Sequence, residues 1–422
     1  MVKAQIVKDE APADPRSSRG AKRMKVLDEA AKALNRRGVS QTSLAQIAQS
    51  VGVSRAALYY YFEDQEDLVF QCYRRSCELM ARSLNEASTL GGDALGVIDR
   101  FIDGMLATDA PEFAALSEAA FLRSEQRSTI LGLYDAIRAS IAGILEDGTR
   151  KGEVRACAAG VVAQSIIGLV SWMPMARRWR TSDPLSDRDM LQAIKSVLRD
   201  GIASERAAPV DYRTFDLLPV DLRVGQVFDA EVMAAARQEA LLAAASWLFN
   251  LKGVDATSLE EIALQVGVTK KVIYHNVGDK DTLVAQCYRR SFRFYEQVGQ
   301  WAHAYEGPRI DAICASAHAL AEASLREDIA PLAPLAGFEA LPEGAREEIQ
   351  ASSFRLMEMY LELYRQAQAE GTVRDLHTRA VLAIHPGTFE WLPKWFDTFD
   401  PAERAAAARE VAVLYRLGLR PL

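Results

Sequence analysis

A long internal repeat constrains the fold of this chain more than any other feature of its sequence. Residues 38–76 align with residues 253–291 without a gap at a constant shift of 215, and 20 of the 39 positions are identical. The block QCYRRS occurs in both stretches, at Gln71–Ser76 and at Gln286–Ser291. The period is far too long for a solenoid of short repeats, so the pattern indicates a duplicated domain.

A weaker match follows downstream at a shift of 219. The matching residues are Gly152, Val154, Arg155, Gly168, Trp172 and Pro174 in the first copy, and Gly371, Val373, Arg374, Gly387, Trp391 and Pro393 in the second. Between the copies, residues 203–228 contain Pro209 and Pro219 and show no long periodicity, which predicts a linker.

Apolar residues recur with helical spacing along the chain. Met24, Leu27, Ala31 and Leu34 follow the i, i+3, i+4, i+7 pattern of an amphipathic helix that ends at Gly38. No Asn-Gly or Asp-Gly pair joins two alternating apolar runs, so no β-hairpin is indicated. We therefore expect an all-α protein made of two tandem copies.

Composition limits the class of protein. The chain has a formal net charge of −7, with 49% hydrophobic and 25% charged residues, which is typical of soluble globular proteins and excludes a uniformly basic coat. Its five cysteines form no CxxC pair, which argues against a disulfide framework or a zinc site. The first 14 residues contain no apolar signal core, so we expect a cytoplasmic protein without metal or cofactor.

One segment is long enough to cross a membrane. Residues 156–176 contain no charged side chain, but Gln164, Ser171 and Pro174 dilute their hydrophobicity. We expect no second segment of this kind. Core helices can be apolar on all sides, so a buried or interface helix is the favoured interpretation over a membrane helix.

Each copy contains two short helical patterns separated by a glycine turn. In the first copy Thr42 can cap one helix, Val51–Gly52–Val53 turns the chain, and Ser54 can cap a second helix over Arg55–Tyr61. The residues expected to face inward are Leu44, Ile47, Ala48 and Leu58, and the second copy repeats the pattern with Thr257, Gly267, Thr269 and Ile273. This is the helix-turn-helix arrangement, in which the second helix enters the major groove of DNA.

The string from Thr42 to Leu68, TSLAQIAQSVGVSRAALYYYFEDQEDL, resembles the TetR family of bacterial transcriptional regulators. In that family a Leu-Tyr-x-His-Phe segment closes helix three and a Lys-Glu-x-Leu segment begins helix four. The first copy departs from this pattern at Tyr61 and Gln65, and the second keeps Tyr274 and Lys280 but departs at Asn276 and Val277. The resemblance implies about nine helices in each copy, three for DNA and six for ligand binding and dimerisation.

The expected domains follow from this resemblance. They are a basic disordered arm (1–20), a first helix-turn-helix domain (21–70), a first ligand-binding and dimerisation domain (71–202), the linker (203–228), a second helix-turn-helix domain (229–285) and a second ligand-binding and dimerisation domain (286–422).

Positive charge is concentrated in the first copy's motif. Residues 16–76 carry a net charge of +5, whereas residues 229–291 carry −1. Basic side chains release counterions from phosphates, and flexible basic arms can reach the minor groove. The candidate DNA-binding residues are Arg19, Lys22, Thr42, Ser54, Arg55, Ala56, Tyr59, Tyr60 and Tyr61 in the first copy, and Thr257, Thr269, Lys270, Lys271, Tyr274, His275 and Lys280 in the second. Of these, Thr42 and Tyr59 are expected to contact phosphates.

TetR-like proteins pair two such motifs as homodimers through their last two helices. Here those helices are expected at 158–175 and 186–200 in the first copy and at 376–392 and 402–418 in the second. We therefore expect an intramolecular pseudo-dimer in one monomeric chain, although further homodimerisation stays open. Because Arg55-Ala56-Ala57 differs from Lys270-Lys271-Val272, the preferred operator should be asymmetric.

The resemblance also implies an apolar effector pocket. Aromatic and methionine residues at helical spacing supply the candidates, although such stripes usually form plain core. The candidate ligand-binding residues are Phe101, Met105, Phe121, Trp172 and Trp391. The spacing of Gly387, Trp391 and Trp395 resembles a TetR subgroup that senses acyl-CoA or other lipid-derived effectors.

These observations favour a DNA-binding repressor released by a small apolar effector. The alternative is a ligand-binding sensor or scaffold in which one or both helix-turn-helix copies no longer bind DNA. An enzyme is disfavoured because the sequence contains no glycine-rich phosphate loop, no GxSxG and no HExxH motif.

Overall fold

The computed structural model describes residues 18–39, 41–176, 185–217, 229–333, 338, 341–394 and 401–422. We call residues up to 202 copy one and residues from 229 copy two. Copy one contains α1 (Ser18–Arg37), α2 (Leu44–Val51), α3 (Arg55–Leu58), α4 (Gln65–Thr89), α5 (Ala94–Leu106), α6 (Ser124–Arg150), α7 (Ala159–Ala176) and α8 (Asp187–Asp200). Copy two contains α9 (Ala230–Lys252), α10 (Leu259–Val266), α11 (Lys270–Val277), α12 (Lys280–His303), α13 (Arg309–Ser324), α14 (Glu343–Ala369), α15 (Thr378–Ile384) and α16 (Pro401–Leu417).

The expected all-α, duplicated fold is confirmed. Within the described ranges, the β-structure is an isolated bridge between Ala203 and Val373. Each copy shows eight α-helices there, one fewer than the resemblance implied, together with short 3-10 helices at Ala119–Phe121 and His385–Thr388. The helix α4 runs continuously across residues 70–71, where the sequence predicted a domain boundary.

The two copies pack against each other through α7 and the segment formed by α15 and the 3-10 helix that follows it. The backbones of Gly168 and Gly387 are in direct contact at the crossing. The Ser165 hydroxyl donates to the carbonyl oxygen of Thr388 (3.1 Å), and the Trp172 indole donates to that of Ala383 (2.7 Å). The intramolecular pseudo-dimer is therefore the observed arrangement.

A reciprocal pair of arginines joins the ends of the two copies. The Arg155 guanidinium donates to the carbonyl oxygen of Gly418 (2.6 Å), and the Arg374 guanidinium donates to that of Gly201 (2.7 Å). Arg155 and Arg374 correspond in the repeat. The contacts therefore follow a pseudo-two-fold axis, as they would in a homodimer with a self-complementary interface.

Two helices are long and apolar enough to span a membrane by composition alone, α6 and α7. The most apolar 18-residue window of α7 is 83% buried, which confirms the expected interface helix. The expectation that no second segment exists was wrong, because α6 also qualifies. The side chains Ile130, Ile137 and Ile141 of α6 are buried against copy one's core.

The described part of the linker packs against copy two. The Arg206 guanidinium donates to the carbonyl oxygen of Leu417 (2.7 Å), and the Tyr212 hydroxyl lies 2.9 Å from Nδ1 of His318. Residues 203–217 are thus held against copy two, and residues 218–228 lie outside the described ranges.

Candidate functional site

The three helices α1–α3 form head one, and α9–α11 form head two. In head one, α2 is capped by Ser43, whose hydroxyl accepts from the Gln46 backbone amide. Gly52 then adopts a left-handed conformation (φ 75°), and Ser54 caps α3 by accepting from the Ala57 amide. The inward residues Leu44, Ile47, Ala48 and Leu58 are all buried, as expected.

Head one differs from the expectation in three respects, and the first is the cap of α2. The cap of α2 is Ser43 and not Thr42, because Thr42 is buried and its hydroxyl donates to the carbonyl oxygen of Gly38 (2.7 Å). Its counterpart Thr257 is also buried and donates to Gly253 (2.9 Å). Both threonines therefore hold the turn together, and their side chains are buried.

The recognition helix of head one is shorter than expected. The helix α3 ends at Leu58, and Tyr59–Tyr61 form turns. Tyr59 and Tyr60 are 48% and 64% exposed, and Tyr61 packs edge-on against the Tyr60 ring at 5.4 Å. The Arg55 guanidinium donates to the Tyr59 hydroxyl (3.1 Å). Arg55, Ala56, Tyr59 and Tyr60 thus form one exposed polar surface.

The basic segment before head one also differs from the expectation. Because α1 begins at Ser18, it includes the last residues of the expected arm (1–20), and Lys22 and Arg23 lie within this helix. Lys22 is exposed, whereas the Arg23 guanidinium donates to Gln71 Oε1 on α4 (2.9 Å). Arg16 and the side chain of Arg19 lie outside the part of the chain that the structure describes.

Head two has the same helix-turn-helix arrangement as head one, but its charged residues are distributed differently. Gly267 repeats the left-handed turn (φ 71°), and Thr269 occupies the cap position of α11 without a capping hydrogen bond from its side chain. Lys270 forms an ion pair with Glu260 and lies over the ring of Tyr274, which is 50% exposed. Glu260 corresponds to Ala45 in head one, so head one has no carboxylate at this position.

The remaining candidates of head two are Lys271, Lys280 and His275. Lys271 is exposed on α11, and the Lys280 ammonium contacts the carbonyl oxygen of Asp255 (3.4 Å). The side chain of His275 lies outside the described part of the chain. In head one the position of Lys280 is held by Gln65, whose amide donates to the carbonyls of Val39 and Thr42 (2.8 Å each).

A buried junction connects the two heads. It consists of Ser117 and Glu118 before the first 3-10 helix, together with Lys394 of copy two. The Val39 amide donates to Glu118 Oε2 (2.6 Å), and a Cβ added at Gly253 would lie 2.9 Å from Glu118 Cγ. Lys394 donates to the carbonyl oxygens of Ser117 (2.6 Å) and Asn250 (2.7 Å). One glutamate and one lysine therefore contact the ends of α1 and α9.

An apolar cavity of about 140 Å³ lies in copy two, and side chains of copy one form part of its wall. Trp172, Leu185 and Met190 of copy one contribute to its wall. The copy-two lining is Phe292, Tyr295, Leu320, Ser353, Leu356, Met357, Tyr360, Arg379, Leu382, Ala383, His385, Pro386, Phe389 and Glu390. A ligand in this cavity would contact both copies.

Two buried ionisable groups of the cavity, Glu390 and His385, are neutral at pH 7. Burial raises the pKa of Glu390 to about 8, and the Tyr295 hydroxyl donates to its Oε1 (3.3 Å). Burial lowers the pKa of His385 to about 3. The charged group of the lining is Arg379, which is paired with Glu358 at 3.2 Å. The interior therefore favours an uncharged, mainly apolar guest.

Comparison with known proteins decides the family. The family model "Bacterial regulatory proteins, tetR family" matches residues 26–72 and again residues 241–287. The model "Tetracyclin repressor-like, C-terminal domain" matches residues 96–202. The chain belongs to the TetR family. It is a transcriptional regulator with two helix-turn-helix domains in tandem.

The relatives of this tandem TetR-family chain each correspond to about one copy. The HTH-type transcriptional repressor KstR2 of Rhodococcus jostii is 26% identical over 199 residues, covering 46% of this chain and 97% of that protein. The fatty acid metabolism regulator protein of Bacillus subtilis is 25% identical over 140 residues, covering 32% and 71%. The structure of AibR with isovaleryl coenzyme A and operator DNA is 19% identical with a TM-score of 0.36, covering 42% and 96%.

The cavity of this TetR-family chain contains one of the five residues that the sequence suggested for it. Trp172 lines the cavity, whereas Phe101 and Met105 are buried in copy one's core. Phe121 lies in a 3-10 helix of copy one, and Trp391 lies against Gly168 at the crossing of the copies. Trp395 lies outside the described residues.

Sequence reasoning missed Glu118, Glu390 and Lys394. A signal for the last two was present, because Glu390 and Lys394 are charged residues on either side of Trp391 in an otherwise apolar stretch. Their copy-one counterparts at a shift of 219 are the uncharged Ser171 and Met175. No comparable signal marks Glu118 in the sequence.

Proposed function

We propose that this regulator is a repressor that binds one operator through its two heads and is released by a small apolar effector. The observation that carries the proposal is the position of Lys394. It lies four residues after Glu390 of the cavity wall and donates to backbone oxygens at the junction of the heads. The cavity and the DNA-binding domains thus share one short segment.

Head one supports DNA binding by its exposed surface and its charge. Arg55, Tyr59 and Tyr60 are exposed beside each other on α3 and the turn after it. Tyrosine hydroxyls and arginine donate to phosphates, and arginine also reads guanine edges in the major groove. The net charge of +5 over residues 16–76 supplies the electrostatic part of the affinity.

The cavity supports an effector with a compact apolar group. A cavity of about 140 Å³ is close to the roughly 150 Å³ of an engineered apolar cavity that binds benzene. It is smaller than the ~300–1,000 Å³ of pockets for drug-sized ligands. A short or branched acyl group, free or carried by a larger lipid-derived or acyl-CoA molecule, fits these limits. One relative carries fatty acid metabolism in its name.

Effector and DNA would oppose each other through residues 385–394. A guest that contacts His385, Phe389 and Glu390 shifts this segment, and Lys394 at its end then moves relative to Asn250 and Ser117. The separation of the heads changes as a result. Thermodynamic linkage requires that the effector weakens DNA binding by the same factor by which DNA weakens effector binding.

A second candidate function is favoured by one observation in head two. The ion pair between Lys270 and Glu260 holds a recognition-helix cation away from phosphates, and this head has a net charge of −1. If head two does not bind DNA, head one alone reads the operator and head two acts as a sensor or scaffold. Either way the operator is asymmetric, and a monomeric chain suffices to bind it in the cytoplasm.

A mobility-shift and footprinting experiment on the intergenic DNA upstream of the protein's own gene tests the proposal. We expect specific, salt-dependent binding with stronger protection of one half-site, and release by short-chain acyl-CoA. Equal protection of two palindromic halves would contradict the asymmetric operator. Specific binding that no acyl compound weakens would contradict effector release, and the absence of specific binding would contradict the repressor itself.

A further inference from the structure

The two copies differ at the place where copy two has its cavity. At a shift of 219, Ser353 and Ala383 of the cavity lining correspond to Tyr134 and Gln164 of copy one. Both copy-one side chains are buried, with exposed fractions of 3% and 1%. A small side chain in one copy is thus replaced by a large one in the other, at two neighbouring positions.

Tyr134 and Gln164 interact with each other directly. The Gln164 amide donates to the Tyr134 hydroxyl (2.8 Å), and that hydroxyl lies 3.1 Å from Gln164 Oε1. Mutual hydrogen bonds remove most of the cost of burying both polar groups. Burial also raises the pKa of Tyr134, which keeps its hydroxyl protonated.

The Tyr134 side chain is about as large as a ligand that the cavity of copy two can hold. Its phenol ring is a benzene ring with a hydroxyl group, and benzene fills an apolar cavity of roughly 150 Å³. Several copy-one counterparts of the remaining lining are buried as well, among them Ile137, Ile141 and Ile166. In copy two the larger Phe292, Tyr295 and Tyr360 replace Cys77, Met80 and Ile141, and they form the walls around the open space.

We infer that one chain binds one effector molecule, in copy two, and that Tyr134 with Gln164 occupies the equivalent site in copy one. The inference rests on the proposed effector function and assigns its stoichiometry and its location. Copy one has the buried Tyr134 and Gln164 at the equivalent place, and it contributes Trp172, Leu185 and Met190 to the other copy's cavity. A homodimer of identical subunits would have two such sites.

The chain itself supplies matched variants for a test. The double variant Ser353→Tyr/Ala383→Gln gives copy two the residues of copy one, and Tyr134→Ser/Gln164→Ala gives copy one those of copy two. Fluorobenzene serves as the probe, because its size fits the cavity and its binding to the full chain can be titrated by ¹⁹F NMR. Circular dichroism checks that each variant remains folded.

We expect one equivalent of fluorobenzene in the unchanged chain and at least tenfold weaker binding in S353Y/A383Q. In Y134S/Q164A we expect a second equivalent. Two equivalents in the unchanged chain, or none, would overturn the inference, and so would full binding by folded S353Y/A383Q. If that variant does not fold, Leu320→Phe enlarges one side chain of the lining, reduces the cavity more gently and is expected to weaken binding.

The same titration separates this inference from the proposed function. Counting bound fluorobenzene requires no DNA, so the stoichiometry is tested independently of operator binding. Suppose that one equivalent binds and that the operator affinity is unchanged in the presence of every acyl compound tested. This result would refute release by an effector, but it would leave the inference of a single cavity site unchanged.

Discussion

Gly168 and Gly387 cross with their backbones in contact, because neither residue has a side chain that would separate the copies. The two residues correspond in the repeat, so the contact is self-complementary, as at the two-fold axis of a homodimer. A side chain at Gly168 would meet the carbonyl oxygen of Gly387. The crossing therefore depends on glycine at both positions.

The first prediction concerns this crossing. The variant Gly168→Ala is expected to lose about 1–3 kcal/mol of unfolding free energy, because an added methyl group in a packed core forces the backbones apart. Urea denaturation measures the loss. Gly143→Ala is the control, since nothing lies within 4 Å of a Cβ at that position of α6. It is expected to be neutral or to gain up to about 1 kcal/mol, and equal stability of the two variants would contradict the prediction.

The second prediction concerns the ion pair of head two. Removing the carboxylate in Glu260→Ala is expected to strengthen operator binding, because Lys270 becomes available to a phosphate. At low salt the affinity should rise about threefold to tenfold, and the slope of log affinity against log salt should become steeper by roughly 0.9 for one added phosphate contact. Fluorescence anisotropy with labelled operator DNA measures both.

Glu261→Ala provides the matched control. It removes the same charge from the same helix, but the partner of Glu261 is Lys252 at the end of α9 and not a recognition-helix residue. A gain equal to that of E260A would show a general charge effect and contradict a specific role of Lys270. No gain in either variant would favour a head two that does not touch DNA.

The third prediction concerns the junction of the heads. In Lys394→Met the hydrogen bonds to Ser117 and Asn250 are lost, whereas the fold should persist because copy one has the buried Met175 at this position. We expect weaker discrimination between operators whose half-site spacing differs by one base pair. A surface control is Lys195→Met, whose ammonium pairs with Asp103 away from the heads. Spacing discrimination that is unchanged in K394M would contradict the role of the junction.

The sequence predicted those parts of the fold that depend on local pattern and on the repeat. Ser54 and Gly52 lie at the cap and turn as expected, because capping and left-handed backbone are local requirements. Thr42 was misplaced by one residue, since Ser43 satisfies the same cap rule. The pseudo-dimer followed from the apolar helix near Gly168, which needs a partner surface.

The cavity could not be predicted in the same way. It forms where two copies meet, so its lining comes from residues such as Met190 and Phe292 that are far apart in the chain. The stripe of aromatic residues did not show which of them would leave space unfilled. Aligning the copies with each other was the informative comparison, because it opposes Ser353 to Tyr134 and Ala383 to Gln164.

Two buried groups of the cavity give the protein a predictable pH dependence. Burial raises the pKa of Glu390 from 4.5 to about 8, so the folded chain binds more protons than the unfolded chain between these values. The stability from Glu390 is therefore fully present below pH 4.5 and is lost as the pH rises through 8. The pKa of His385 is lowered from 6.5 to about 3, which acts in the opposite direction at lower pH.

The fourth prediction isolates the carboxyl group with Glu390→Gln. Glutamine keeps a carbonyl oxygen for the Tyr295 hydroxyl and cannot ionise, so its contribution does not change with pH. Between pH 5 and pH 8.5 the unfolding free energy of the unchanged chain should fall relative to that of E390Q, by an amount on the order of a few kcal/mol. His385 is present in both proteins and cancels in the difference. Urea denaturation at half-unit pH intervals measures the two curves, and parallel curves over this range would show that Glu390 is ionised in the folded chain.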